Sequence, residues 1–275
     1  MKVLILGGTG MAGHVMKEYF RHNPRYEVSY TSRDKNDPDS IYLDATDSKR
    51  LEHVIDELRP DIAINCIGIL NEAASNDPMT ALQVNGLLPH QLVKLMERHQ
   101  GKVIHISTDC VFLGTKGDYT EDEIADGISV YARSKRWGEI LSDKHTTIRT
   151  SIIGPELNEN GIGLFLWFMK QSGVIKGYDK VFWNGVTTLE LAKAAEQMIE
   201  QNITGLYHLC SKQKITKYSL LKLFQEIFQK DDVTIIPDSD IVLDRTIKNT
   251  RTDFLYQVPD YKDMLIELRD WMQSH

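Results

Sequence analysis

With 275 residues, 41% of them apolar and 26% charged, the chain has the make-up of a globular protein with one large domain or two unequal ones, which excludes disordered and fibrous classes. A formal charge of −7 without any Lys/Arg run excludes a nucleic-acid footprint, so an anionic ligand must find its positive charge locally. Cys66, Cys110 and Cys210 are scattered, show no metal-ligand spacing and fit reduced thiols in a cytoplasmic protein, and no apolar stretch reaches membrane-spanning length.

Lys2–Leu6 is an apolar run that predicts a buried strand, and it meets Gly7 too soon to be a signal-peptide core. The next residues, Gly7-Gly8-Thr9-Gly10-Met11-Ala12-Gly13, follow a G-x-x-G-x-x-G spacing. Glycine permits a tight turn and a close backbone approach to a pyrophosphate. The helix predicted over residues 11–20 would aim its first amides at the phosphates. Such a motif is weak alone, but between the first strand and first helix of an alternating pattern it marks a dinucleotide site. Residues 27–31 predict the second strand. It runs into Ser32-Arg33 with no acid to bond a ribose 2′-hydroxyl, so Ser32 and Arg33 are expected at a 2′-phosphate. Asp34 would weaken this if it turned inward onto Arg33. NADPH is the expected cofactor, with NADH as the alternative.

Residues 41–43 predict a short strand, Ser48–Leu58 an amphipathic helix stopped by Pro60, and residues 62–66 a buried strand. Residues 79–98 predict one long helix kinked at Pro89. Further strands are expected at 103–107 and 147–150. This alternation predicts an α/β fold, a Rossmann-type doubly wound parallel sheet, over residues 1–150. Beyond residue 151 the pattern loosens around Trp167, Trp183 and several glycines, with helices predicted at Thr188–Glu200, 217–228 and 260–272. Residues 151–275 read as a smaller substrate-binding region, partly interleaved with the first.

Tyr131-Ala-Arg-Ser-Lys135 puts a phenol and an ammonium on one helix face. An ammonium beside a phenol lowers its pKa and lets it exchange a proton with a carbonyl near neutrality. A pair at this spacing arises by chance about once in a chain of this composition, and Tyr218/Lys222 is a second. Only the first follows a strand ending in hydroxyls, Ser107-Thr108-Asp109, at the carboxyl edge where ligands of such sheets bind. Thr108, Tyr131 and Lys135 are therefore the candidate catalytic residues, and Tyr218/Lys222 reads as a structural or rim pair. His14, His105, His208 and Asn85 read as structural, and Trp183 as core or pocket wall.

These residues resemble those of the extended short-chain dehydrogenase/reductases, and most closely the dTDP-4-dehydrorhamnose reductase family. The resemblance is carried by residues 7–13, 43–47, 59–65, 84–85, 107–112, 119–122, 130–139, 149–151 and 205–209, and it is weakest beyond about residue 230. It implies that Thr108 holds a sugar carbonyl, that Tyr131 protonates it, and that Lys135 binds the nicotinamide ribose and tunes Tyr131. It also implies that Gly10, Met11 and Ala12 line the pyrophosphate, that Asp44 and Ala45 flank the adenine, and that Cys66, Ile67 and Gly68 lie along the cofactor. Asp109 and Ile152 would face the sugar. The implied activity is NADPH-dependent reduction of the 4-keto group of a nucleotide-activated 4-keto-6-deoxy sugar, in deoxysugar and surface-polysaccharide biosynthesis. The partner is then that sugar nucleotide, with no nucleic acid, membrane or metal, and with a homodimer as one open assembly.

Two other readings stay open: an epimerase or dehydratase on the same scaffold, and a non-catalytic dinucleotide-binding regulatory subunit. The chain departs from the family pattern at Cys66-Ile67-Gly68-Ile69-Leu70-Asn71, where alanines and Tyr-Thr are usual, at Cys110 in place of a tyrosine, and at Ile152 in place of an aromatic. Either Arg245 or Arg251 would clamp the diphosphate, with no motif to choose between them.

Overall fold

Seven parallel strands form the central sheet of the computed structural model, which describes all 275 residues. They are β1 (Lys2–Leu6), β2 (Glu27–Ser32), β3 (Ile41–Tyr42), β4 (Ile62–Asn65), β5 (Lys102–Thr108), β6 (Thr146–Thr150) and a last strand, Gly205–His208. From one edge to the other they lie as Gly205–His208, β6, β5, β4, β1, β2, β3, every pair parallel. The order reverses between β1 and β4, so the crevice at their carboxyl ends is where this topology binds ligands.

Side-chain alternation along β1 explains the two layers. Val3 and Ile5 join the core beneath α1 (Met11–Arg21), where Met16 and Phe20 are fully buried. Leu4 and Leu6 point the other way, to Leu51, Val54 and Ile55 of α2 (Ser48–Leu58) and to Leu88 and Leu92. A strand buried on both faces reads as an unbroken apolar run, as Lys2–Leu6 does.

The long helix expected over 79–98 is instead three joined pieces: Pro78–Ala81, a wide π-helical turn at Leu82–Leu87, and Leu88–Arg98. Pro89 has no N–H, and in α geometry its ring meets the carbonyl four residues earlier, that of Asn85. The wider turn relieves that clash, so the irregularity precedes the proline rather than sitting on it.

Elements from residues 151–275 pack directly with those of residues 1–150. Gly205–His208 extends the central sheet beside β6, and Thr188–Glu200 packs against α1. The region also holds short pairings that local pattern did not predict. Gly173–Tyr178 runs parallel to Val233–Asp238, and Val181–Trp183 lies between Ile215–Thr216 and Leu243–Asp244. They frame the far side of the crevice.

Candidate active site

The glycine turn leaves β1 with Gly7 at φ 78°, a backbone conformation that glycine adopts without strain. A Cβ on Gly13 would fall 2.0 Å from the Gly7 carbonyl oxygen, so only glycine lets α1 pack this close to the turn. The end of β2 braces the loop: the Gly7 and Gly8 amides donate to Thr31 Oγ1 at 3.1 Å and Thr31 O at 2.9 Å. Gly10 caps α1 without a side-chain bond, and the first turn carries no acid. A Cβ there would meet only Gly7 O, at 3.4 Å. Free helix-start amides beneath open space fit a pyrophosphate. Met11 is half-buried on the rim, and Ala12 is buried against the core.

Beyond the turn, Asp44 Oδ1 accepts from Thr46 N at 2.9 Å and Thr46 Oγ1 at 2.7 Å, bonds that hold its carboxyl below the ordinary value, and Ala45 is buried beside it. Cys66 and Ile67 are half-buried and Gly68 exposed at the end of β4. A Cβ on Gly68 would touch only Asn85 Oδ1, at 3.7 Å. Asn85 is buried and structural: it donates to Ile69 O at 2.9 Å and Ser134 Oγ at 3.0 Å and accepts from Ile69 N at 2.8 Å. At the end of β2, Ser32 Oγ accepts from the Asp34 amide at 3.0 Å. Arg33 is exposed, and the Asp34 carboxylate accepts from Asn36 N at 2.8 Å within its own turn rather than pairing with Arg33.

The catalytic candidates meet where β5 ends. Thr108 Oγ1 donates to Asp109 Oδ1 at 3.2 Å and accepts from Cys110 N at 3.1 Å. Tyr131 sits in the helix Val130–Trp137, capped by Ser129, with its phenol close enough to Thr108, Asp109 and Cys110 to feel all three. Burial pushes the phenol well above its ordinary value, and Thr108 only partly offsets this. Lys135 is not among the groups that shift the phenol. Lys135 shares the helix face but turns inward, donating from Nζ to Ile106 O at 2.6 Å beside His105 Nε2 at 3.4 Å. Burial lowers its own pKa to about 8, against the opposing pull of Glu139 and Cys66. A buried ammonium loses its hydration, and one carbonyl restores only part of it.

Behind this pair lies a buried polar network. Arg149 on β6 grips Glu139 with two bonds, 2.7 and 2.8 Å, while Ser107 Oγ donates to Glu139 at 2.8 Å and Arg149 Nη1 reaches His208 Nε2 at 3.2 Å. All three histidines read as structural have partners: His14 bonds Gly10 O, His105 lies between Asn65 and Lys135, and His208 also meets Lys248 O.

On the sugar-facing side, burial raises the Asp109 carboxyl above its ordinary value, with Lys217 and Arg245 pulling the other way. Ile152 is half-buried in a two-residue strand parallel to Val186–Thr187. The structure separates the two arginines. Arg245 stands at the site, Nε donating to Phe112 O at 3.1 Å and Nη1 lying 4.0 Å from Cys110 Sγ. Arg251 is spent on the edge strand, bonding Asp253, Thr204 O and Leu206 O. Lys222 is exposed and bonded to Gln225, and the Tyr218 ring packs against Gly177, so the two do not form a second catalytic pair. Sequence reasoning passed over Lys217, which only the fold brings to Asp109.

The family model described as the RmlD substrate binding domain matches residues 1–268. The chain belongs to this family, that of the dTDP-4-dehydrorhamnose reductases. Among curated proteins it is 26% identical over 242 residues to the dTDP-4-keto-6-deoxy-D-glucose reductase of Streptomyces niveus, covering 85% of this chain and 81% of that protein. It is also 24% identical over 268 residues to methionine adenosyltransferase 2 subunit beta of Bos taurus, covering 92% of this chain and 80% of that one. A crystal structure of dTDP-4-dehydrorhamnose reductase from Bacillus anthracis in complex with NADP shares the fold, with a TM-score of 0.84 at 21% identity over 98% of this chain and 99% of that chain.

Proposed function

We propose that this family member is an NADPH-dependent oxidoreductase that reduces the 4-keto group of a nucleotide-activated 4-keto-6-deoxy sugar, a step in deoxysugar and surface-polysaccharide synthesis. The observation that carries the reading is the meeting of Thr108 and Tyr131 at the carboxyl end of β5, with Lys135 on the same helix face and the glycine cradle across the crevice. NADPH bound along that cradle supplies a hydride to C4 of the sugar. Gly10 and the first amides of α1 take the pyrophosphate, and Arg33 the 2′-phosphate. Thr108 orients the carbonyl by turning its hydroxyl from Asp109 to the sugar oxygen. Tyr131 delivers the proton to that oxygen, and its raised pKa keeps it protonated until then. Lys135, held at Ile106 O on the same helix face, is placed to take the nicotinamide ribose that the resemblance assigns to it.

The dehydratase reading needs an acid–base pair beside the sugar, and there Asp109 has only Cys110 as its neighbour, whereas an epimerase needs only transient oxidation at C4 and is separated from a reductase by net NADPH consumption. Burial pushes the Cys110 thiol pKa up to about 12, so it does not ionise at working pH. The similarity to a methionine adenosyltransferase beta subunit keeps a regulatory role as the competing outcome. Incubation with NADPH deuterated on the transferred face and a dTDP-4-keto-6-deoxyhexose tests the reading. Deuterium at C4 with one NADPH consumed per product supports it. Product without net NADPH consumption, or no turnover with a panel of 4-keto sugar nucleotides, overturns it.

A further inference from the structure

The crevice holds a cation that the proton-transfer step does not use. Lys217 opens the helix Lys217–Ile227, and from the C-terminal region its charge is felt at Asp109 and Cys110, the residues that Tyr131 feels from the N-terminal one. Its Nζ lies 5.3 Å from the centroid of the Trp183 ring and makes no hydrogen bond or ion pair to a protein group. Trp183 is buried and fixed, its Nε1 donating to Ser151 Oγ at 2.8 Å, next to Ile152. Arg245 adds a second cation beside Cys110, also without an ion-pair partner, and Asp109 is the one carboxylate that Lys217 senses.

The fold gives Lys217 only weak company, the face of the Trp183 ring and the field of Asp109, with no hydrogen bond or ion pair. A positive charge in the first turn opposes the helix dipole, and burial has stripped water from the ammonium, lowering its pKa to about 8. Lys214, three residues earlier and also half-buried, is differently arranged, paired with both Asp118 and Asp244. An unpaired cation in a crevice is satisfied by an anion that arrives with the ligand. The permanently anionic part of a sugar nucleotide is its diphosphate.

We propose that Lys217, with Arg245 beside it and the Trp183 ring as a floor, binds a phosphate oxygen of the sugar nucleotide and so sets the sugar's C4 carbonyl against Thr108 and Tyr131. This deepens the reductase reading and rests on it for the nature of the ligand.

Calorimetry on the NADP-loaded full chain tests this, with dTDP and UDP as probes and thymidine and uridine as phosphate-free controls. Lys217→Gln is expected to weaken the better-bound diphosphate about tenfold or more and leave the nucleosides unchanged, while Lys217→Arg stays within about threefold of the parent. In turnover, Lys217→Gln raises KM with kcat within about threefold, the pattern of lost ground-state binding. Its Tm is expected to equal or exceed the parent's, because an unpaired buried charge is gone. Equal diphosphate affinity in Lys217→Gln and parent, or a loss of diphosphate, nucleoside and NADP binding together with a lower Tm, overturns the proposal. So does a parent protein that binds neither dTDP nor UDP. A chain that binds dTDP through Lys217 yet oxidises no NADPH keeps this inference and loses the reductase reading.

Discussion

In the proposed reaction the phenol has to hold its proton until the carbonyl oxygen demands it, and burial of Tyr131 among Thr108, Asp109 and Cys110 favours that. Tyr131→Phe removes the proton and little else. Turnover is expected to fall about 10²–10⁴-fold, with NADPH affinity nearly intact by fluorescence titration. Tyr218→Phe, on a helix whose Lys222 bonds Gln225, should leave the chemical step unchanged; if it were the inactive variant, the wrong pair would have been chosen. Cofactor choice rests on Arg33, exposed and unpaired because Asp34 is engaged by the Asn36 amide. Arg33→Ala is expected to raise KM for NADPH about 10–100-fold and to leave that for NADH little changed, since only NADPH carries the 2′-phosphate. Equal changes for both would take Arg33 out of the site. The grouping of Tyr131 with Thr108, whose catalytic role is part of the proposal, was legible because one short motif follows one strand end. The inward turn of Lys135 was not, because it depends on the Ile106 carbonyl of β5, which pattern reading does not place. Lys217 was less legible still: it follows an ordinary Thr216 cap, and only the fold carries it to Asp109.

At the scale of the element, the helix before β5 shows what the sequence can and cannot specify. Pro89 announces a disturbance, but the widening falls at Leu82–Leu87, because the clash it relieves is with the Asn85 carbonyl. The side chain of Asn85 then ties three pieces together, holding both backbone groups of Ile69 and the Ser134 hydroxyl of the catalytic helix. Asn85→Ala leaves the Ile69 N–H and C=O without partners beneath the cofactor-facing loop. Stability by urea unfolding is expected to drop by about 2–3 kcal/mol, with a lower kcat as the Tyr131 helix loosens. A stability change within about 0.5 kcal/mol would show that water or a neighbour replaces the side chain. The strands of the first part were legible because each is a compact apolar run flanked by turn residues. Gly173–Tyr178 and Val233–Asp238 were not, since their burial is set by pairing with each other across a long stretch of chain.

For the whole molecule, the decisive polar feature is the network joining the two regions. Glu139 follows the catalytic helix, Arg149 lies on β6, His208 on the edge strand supplied by the C-terminal region, and Ser107 on β5. The Glu139–Arg149 pair is almost fully buried, so each ion depends on the other for its stability. His208 must stay neutral beside Arg149 in order to accept its bond. Burial, helped by Arg149, lowers its pKa to about 4 from an ordinary 6.5, although Glu121 and Glu139 pull upward. The unfolded chain therefore takes up a proton near pH 6.5 that the folded chain refuses until about 4. Stability from this group is complete above pH 6.5 and is lost as the pH falls through that window, by ~3 kcal/mol at most. His105, buried beside Lys135 with its pKa also well lowered, adds to the loss with the same sign. Urea unfolding between pH 7.5 and 4.5 should show this decline, and His208→Gln, which keeps an acceptor for Arg149, should make it shallower while costing some stability at neutral pH. An identical pH slope in the variant would mean that His208 titrates alike in the folded and unfolded chains.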